Sequence, residues 1–305
     1  MLFRSVGGEI MERDIITVYC LIDEYLKVSG IKDDVRAEIS NAEVLLIGYM
    51  AVNDFSGNYY KAHQYSMMMQ LVKRIDYTRF LRRLAKINEV LSTLFLFLGS
   101  LFQRLNGAKI YSVDSFPVEL CQITRQSRVR LWSDPSLKGY NASKGRFFYG
   151  LKVHMVVTTD KEPVMVHISE GSIHDVTAGY QFMHYLPQKS ITIGDKGYVS
   201  SKLEAFLKQF EIVLSPIGRN NMQQENKEEY FTKRRIRKGV ETAFSMITAK
   251  FHRNFLLRKT AFASFGKVIK ATTIGGFLTK LRLFITAYAI NCFLKLSDDK
   301  KALLF

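Results

Sequence analysis

Three carboxylates in this chain sit where secondary-structure ends could gather them. Asp114 follows the apolar run Ile110-Tyr111-Ser112-Val113, and Asp195 follows Ser190-Ile191-Thr192-Ile193-Gly194. Glu241 lies in a long helical stretch, within Arg237-Lys238-Gly239-Val240-Glu241-Thr242-Ala243-Phe244. In an α/β sheet the carboxyl ends of the strands form the crevice where ligands bind. Two aspartates from adjacent strand ends and a glutamate from a packed helix can converge on Mg²⁺, with Mn²⁺ as a substitute. Hard divalent cations take several oxygen ligands, and two such ions can clamp the attacking and leaving oxygens of an in-line displacement at phosphorus. Each acid taken singly has a plainer reading. An Asp after a strand is most often a turn or cap residue. Glu241 also suits an i,i+4 ion pair with Arg237, worth about 0.2–0.5 kcal/mol.

Other reactive side chains carry less. His154 and His167 fall in strand-like runs, where a satisfied sheet histidine is the common role. His174-Asp175 opens a helix, with Asp175 expected as its N-cap. The histidines lack HExxH spacing, so a zinc site is not expected. Cys20, Cys121 and Cys292 are far apart and odd in number, which argues against a disulfide framework. Trp132 follows the basic run Arg128-Val129-Arg130 and suits base stacking, though a lone Trp is more often core.

The elements that must position these groups fall into three parts. Residues 1–105 read as a helical region. Ile15, Val18, Ile22, Tyr25 and Leu26 recur at helical spacing, and Ser40-Asn41-Ala42-Glu43 is a capping box before an apolar run. Across Arg79–Leu91 one helix is expected. Its basic residues Arg79, Arg82, Arg83 and Lys86 share a stripe about 100° wide, which suits phosphate contacts as well as a solvated face. Residues 106–260 change period: strand, hairpin (Leu151–Thr159 with Val164–Ser169), helix, strand, helix, strand. That order indicates an α/β sheet covered by helices. A polar loop at Gly218–Glu229 and a helix over about Lys233–His252 follow. Residues 261–305 read as a helical tail expected to pack on the α/β region. Its apolar run and Val90–Phe102 are too short to span a bilayer, which needs about 20 residues. The first residues lack a signal-peptide pattern, and Met11 is an alternative start.

Charge points to the partner. The 305 residues hold 44 Lys plus Arg against 28 Asp plus Glu, a net of +16. Such an excess favours polyanions. Ile217–Lys259 carries 11 basic and 4 acidic residues, and Glu119–Lys152 carries 7 and 2, so the excess brackets the three acids. A basic surface to hold a nucleic acid and a local acidic cluster to hold metal make a coherent pair.

These residues carry a resemblance. The segments Val113-Asp114-Ser115-Phe116-Pro117-Val118, Phe148-Tyr149-Gly150-Leu151-Lys152-Val153-His154 and Gly171-Ser172-Ile173-His174-Asp175-Val176 come in order. Ile193-Gly194-Asp195-Lys196-Gly197-Tyr198 and Arg234–Arg237 through Glu241–Phe244 follow. Together they resemble DDE transposases of bacterial insertion sequences over about residues 108–260. The resemblance implies a ribonuclease-H-like mixed sheet flanked by helices, preceded by a helical DNA-binding region. It implies Asp114, Asp195 and Glu241 as catalytic, metal-binding residues for two Mg²⁺ ions. It implies cleavage at the ends of the element and strand transfer to target DNA. Arg237 matches the basic residue one turn before the glutamate, whereas a lysine common seven residues after it is replaced by Thr248. Expected DNA contacts are Arg79, Arg82, Arg83, Lys86, Arg234, Arg237 and Lys238. The expected partner is double-stranded DNA and not a membrane, with a homodimer on DNA and a cytoplasmic, nucleoid-associated location. The alternatives are a structure-specific Mg²⁺-dependent nuclease and a catalytically inactive DNA-binding protein.

Overall fold

A computed structural model describes residues 6–142, 145–217, 226–253 and 267–304. In chain order the helices α1 (Val6–Val28), α2 (Asn41–Asn53), α3 (Tyr59–Met68), α4 (Tyr77–Lys86) and α5 (Asn88–Leu105) come first. Then come strands β1 (Ile110–Cys121), β2 (Lys138–Asn141), β3 (Arg146–Thr158) and β4 (Pro163–Glu170). Helix α6 (Asp175–Phe182), β5 (Ile191–Gly194), α7 (Ser201–Lys208), β6 (Val213–Leu214) and α8 (Lys227–Ala249) follow. The chain closes with β7 (His252–Arg253), β8 (Lys267–Val268), α9 (Ile274–Leu294) and α10 (Asp298–Ala302). Most of the expected polar loop, residues 218–225, and the expected boundary at 260 lie outside the described residues.

The chain forms two compact units. One comprises Met1–Phe95, Lys250–His252 and Lys270–Ser297, and the other Leu96–Ala249, Arg253–Ile269 and Asp298–Phe305.

The helical unit is built around α2. Ser40 accepts from the Glu43 backbone while the Glu43 carboxylate accepts from the Ser40 N–H, so the capping box is present. Eleven of its 13 residues are buried, because neighbours surround it: α1, α3, α4 and α9 all pack on it. Two expectations are corrected here. The stretch Arg79–Leu91 is not one helix. It breaks at Ile87, and α4 and α5 meet at 55°. The Asn88 side chain donates to the Ala85 carbonyl at 2.7 Å, a local bond that competes with helix continuation. The C-terminal helix is also placed differently from the tail expected on the α/β region. α9 belongs to the helical unit, where Thr286 donates to the Leu91 carbonyl. At 21 residues α9 is long and apolar enough to cross a membrane by length and composition, longer than the apolar run read from sequence, and most of it is buried.

The second unit is a mixed α/β fold, a mixed sheet flanked by helices. The sheet runs β2-β3-β1-β5-β6, and β4 also pairs with β3. β1 is antiparallel to β3 but parallel to β5, and β5 is parallel to β6. The β3–β4 hairpin turns through Lys161 at φ 71°. β1 is far longer than the four-residue strand expected. Its parallel partner ends at Val113↔Gly194, yet antiparallel pairing with β3 continues to Cys121. Pro117 is tolerated because that edge of β1 is no longer hydrogen-bonded to a neighbour.

Candidate active site

The register of β1 and β5 decides where the aspartates go. The last parallel pair is Val113↔Gly194. Asp114 and Asp195 are each the next residue, so they emerge side by side where the two strands part. Gly194 is tightly enclosed: a Cβ there would lie 3.1 Å from the Tyr198 Cβ and 3.4 Å from Val113. Tyr198, fully buried, anchors the turn that follows Asp195.

Glu241 arrives on α8. Val240, Ala243, Phe244 and Ile247 are buried, and the Phe244 ring packs 4.5 Å from that of Phe116 on β1. Residues two apart on a strand share a face, so Phe116 and Asp114 face α8 together. Arg237, one turn before Glu241, spans the acids. Its guanidinium donates to Glu241 and lies 3.4 Å from Asp195. The expected i,i+4 pair is thus present, and it is extended to Asp195.

Electrostatics single out Asp114. Burial pushes its carboxyl from 3.8 up to about 7, the Ser115 N–H opposes this at 2.7 Å, and the Asp195 charge adds to it. The charges of Asp114, Asp195 and Glu241 raise the Arg237 pKa, although its burial acts the other way.

The metal that the acids imply can be tested against this donor set. Asp114 and Asp195 fit a divalent cation: two hard oxygen donors from adjacent strands. Glu241 does not join them while Arg237 holds it. Among the described residues no three His, Cys, Asp or Glu side chains are grouped closely enough to share a metal.

Sequence reasoning missed a polar network on the other face of the sheet. Asp175 is not an N-cap; that position is His174, and its side chain makes no capping bond. The Asp175 carboxylate instead accepts from Ser115 Oγ at 3.1 Å and from Lys152 Nζ at 3.3 Å. His154 bonds Tyr198 through Nδ1 at 3.1 Å and Ser169 through Nε2 at 3.0 Å. Burial drives His154 down to about 4, so it is neutral at pH 7. The usable signal was that Ser115, Lys152, His154 and Asp175 all lie inside the segments that carry the resemblance.

The expected DNA contacts differ in availability. Arg79, Arg82 and Lys86 are exposed on α4, and Arg234 and Lys238 are exposed on α8. Arg83 is corrected. It donates to the Ile39 carbonyl and, at 2.8 Å, to Asn41, with Asp33 at 3.8 Å, so it is tied into the helical unit. Trp132 is half-buried, and its carbonyl accepts from Tyr149.

Residues 106–271 match the family model described as "Transposase DDE domain". No curated protein matches the chain. Among solved structures the chain is similar to one titled "Cryo-EM structure of piggyBac transposase synaptic complex with hairpin DNA". Identity is 11% and the TM-score is 0.46, covering 94% of this chain and 76% of that one.

Proposed function

The chain belongs to the transposase DDE domain family, and from that premise we propose that it cleaves DNA at the ends of an insertion sequence and joins them to target DNA by metal-assisted phosphoryl transfer. The observation that carries the reading is the register that brings Asp114 and Asp195 out side by side, with α8 and Glu241 docked on the same face. Asp114 and Asp195 would hold Mg²⁺ or Mn²⁺, and Glu241, once released by Arg237, would complete the site for two ions. A metal held there would supply a lowered pKa for an attacking hydroxyl or water and positive charge against the scissile phosphate. Arg237 keeps the acids from repelling one another while no metal is present. When it releases Glu241, its guanidinium is placed for a bidentate phosphate contact. Lys238 and Arg234 extend that contact along the exposed face of α8. Arg79, Arg82 and Lys86 supply a second, sequence-independent phosphate contact in the helical unit. We assign double-stranded DNA as substrate, a homodimer when DNA is bound, and a cytoplasmic, nucleoid-associated location.

The test is a cleavage and joining assay with a duplex carrying the element's ends, in Mg²⁺ and in EDTA. Metal-dependent cleavage, lost in Asp195→Asn with DNA binding kept, and joined products from a 3′-hydroxyl donor are expected. Cleavage without joining identifies a nuclease. DNA binding without any cleavage identifies an inactive DNA-binding protein, the reading favoured by the hold of Arg237 on Glu241.

A further inference from the structure

Asp175 lies on the face of the sheet away from α8, yet it touches both chain segments that present the site aspartates. Its Oδ1 accepts from Ser115 Oγ, one residue after Asp114. Its Oδ2 lies against Gly197, two residues after Asp195; a Cβ at that glycine would come within 2.6 Å of the oxygen. Gly197 needs no positive φ, so it is the space that the position demands. Lys152 and His154, two apart and so on one face of β3, close the arrangement. Lys152 Nζ reaches the Asp175 carboxylate at 3.3 Å and the Ile173 carbonyl at 2.6 Å. His154 Nδ1 lies 3.8 Å from the same carboxylate and bonds Tyr198, the residue after Gly197.

We propose that Asp175 is a positioning residue that fixes the Asp114 strand end against the Asp195 turn, so that the two carboxylates stand at the separation one divalent cation requires. The inference rests on the function proposed above. Two features support it over a plain stabilising role. The carboxylate caps no helix, and both of its oxygens reach the aspartate-bearing segments, Oδ1 at Ser115 and Oδ2 at Gly197. Its anion also balances Lys152, whose side chain is only 14% exposed. Metal–oxygen bonds of about 2.0–2.6 Å leave little tolerance in the separation of their donors. Partners that orient metal ligands typically affect affinity by about 10–100-fold.

The experiment measures Mn²⁺ binding to the full chain without DNA, by calorimetry or by loss of the free-ion electron paramagnetic resonance signal. Asp175→Asn keeps the shape and removes the anion. Gly197→Ala keeps Asp175 and forces its carboxylate away. Each is expected to weaken Mn²⁺ binding at least about tenfold, with cooperative unfolding and metal-free DNA binding unchanged. The double variant Asp175→Ala/Gly197→Ala relieves the clash and is expected to lose no more than the worse single change. If Asp175→Asn does not fold, Gly197→Ala alone decides. Wild-type Mn²⁺ affinity in the variants, alongside its loss in Asp195→Asn, overturns the positioning role and leaves the metal reading standing. Wild-type affinity in Asp195→Asn itself, or no Mn²⁺ uptake by the wild type, overturns both.

Discussion

Asp114 keeps its proton to about pH 7 because burial at the parted strands strips water from its carboxylate. A folded-state value above the unfolded 3.8 means that the protonated form favours folding. That contribution is complete below the unfolded value and is lost as pH rises through about 7. The metal-free protein is therefore expected to lose stability between pH 4 and pH 7 at this residue, and Asp114→Asn to flatten the profile in thermal unfolding. A cation must displace the same proton. Mn²⁺ affinity should then rise about tenfold per pH unit below pH 7 and level off above it, with proton release visible by calorimetry in two buffers. A pH-independent affinity would mean that Asp114 is not a ligand. Arg237 gives the complementary test. It competes with a metal for Glu241 and Asp195, so Arg237→Ala should tighten Mn²⁺ binding while weakening DNA binding. Weaker Mn²⁺ binding in that variant would show that the guanidinium orders the acids rather than competing for them.

The element that sets the third acid is α8, and its hold on the sheet is aromatic. Phe244 packs on Phe116 and is 8% exposed. Phe244→Ala should cost about 3–5 kcal/mol of stability, and in the folded fraction cleavage should fall more than DNA binding, as Glu241 loses its seat. Equal losses in both would place Glu241 outside the chemistry. The same elements show how far the sequence could be read. Strand ends were legible at Asp195, because Gly194 closes an apolar run and a tight turn follows. At Asp114 the local signal was wrong. β1 does not end there; only its parallel neighbour does, and register between distant strands leaves no local mark. The helix start at His174-Asp175 was found, but the carboxylate's use was not, because its partners Ser115 and Lys152 are 60 and 23 residues away. Periodicity also ran straight through Ile87, where a side chain, not a Gly or Pro, breaks the helix.

At the scale of the molecule, the excess of +16 is not spread over interchangeable cations. Arg83 shows the distinction. It shares a helix face with Arg79, Arg82 and Lys86 on a wheel, yet it is bonded to Ile39 and Asn41 inside the helical unit. A cation spent on the fold releases no counterion when DNA binds. Phosphate-bound cations each contribute about 0.9 to the slope of log K against log salt. If Arg79, Arg82 and Lys86 all contact phosphates, replacing the three with alanine should lower that slope by about 2 to 3. Stability should hold, since exposed cations away from caps and cores matter little to folding. Arg83→Ala should do the opposite. It leaves the slope unchanged and costs about 1.5–3 kcal/mol, the range for hydrogen bonds made by a charged group. Salt titrations of fluorescent duplex binding and denaturant unfolding on the wild type and these two variants separate the two roles. A slope that stays fixed in the triple variant would confine phosphate binding to the α8 side, and a slope that falls with Arg83→Ala would mean that DNA pulls Arg83 from its partners. Either result reads the charge excess residue by residue, which the net value cannot do.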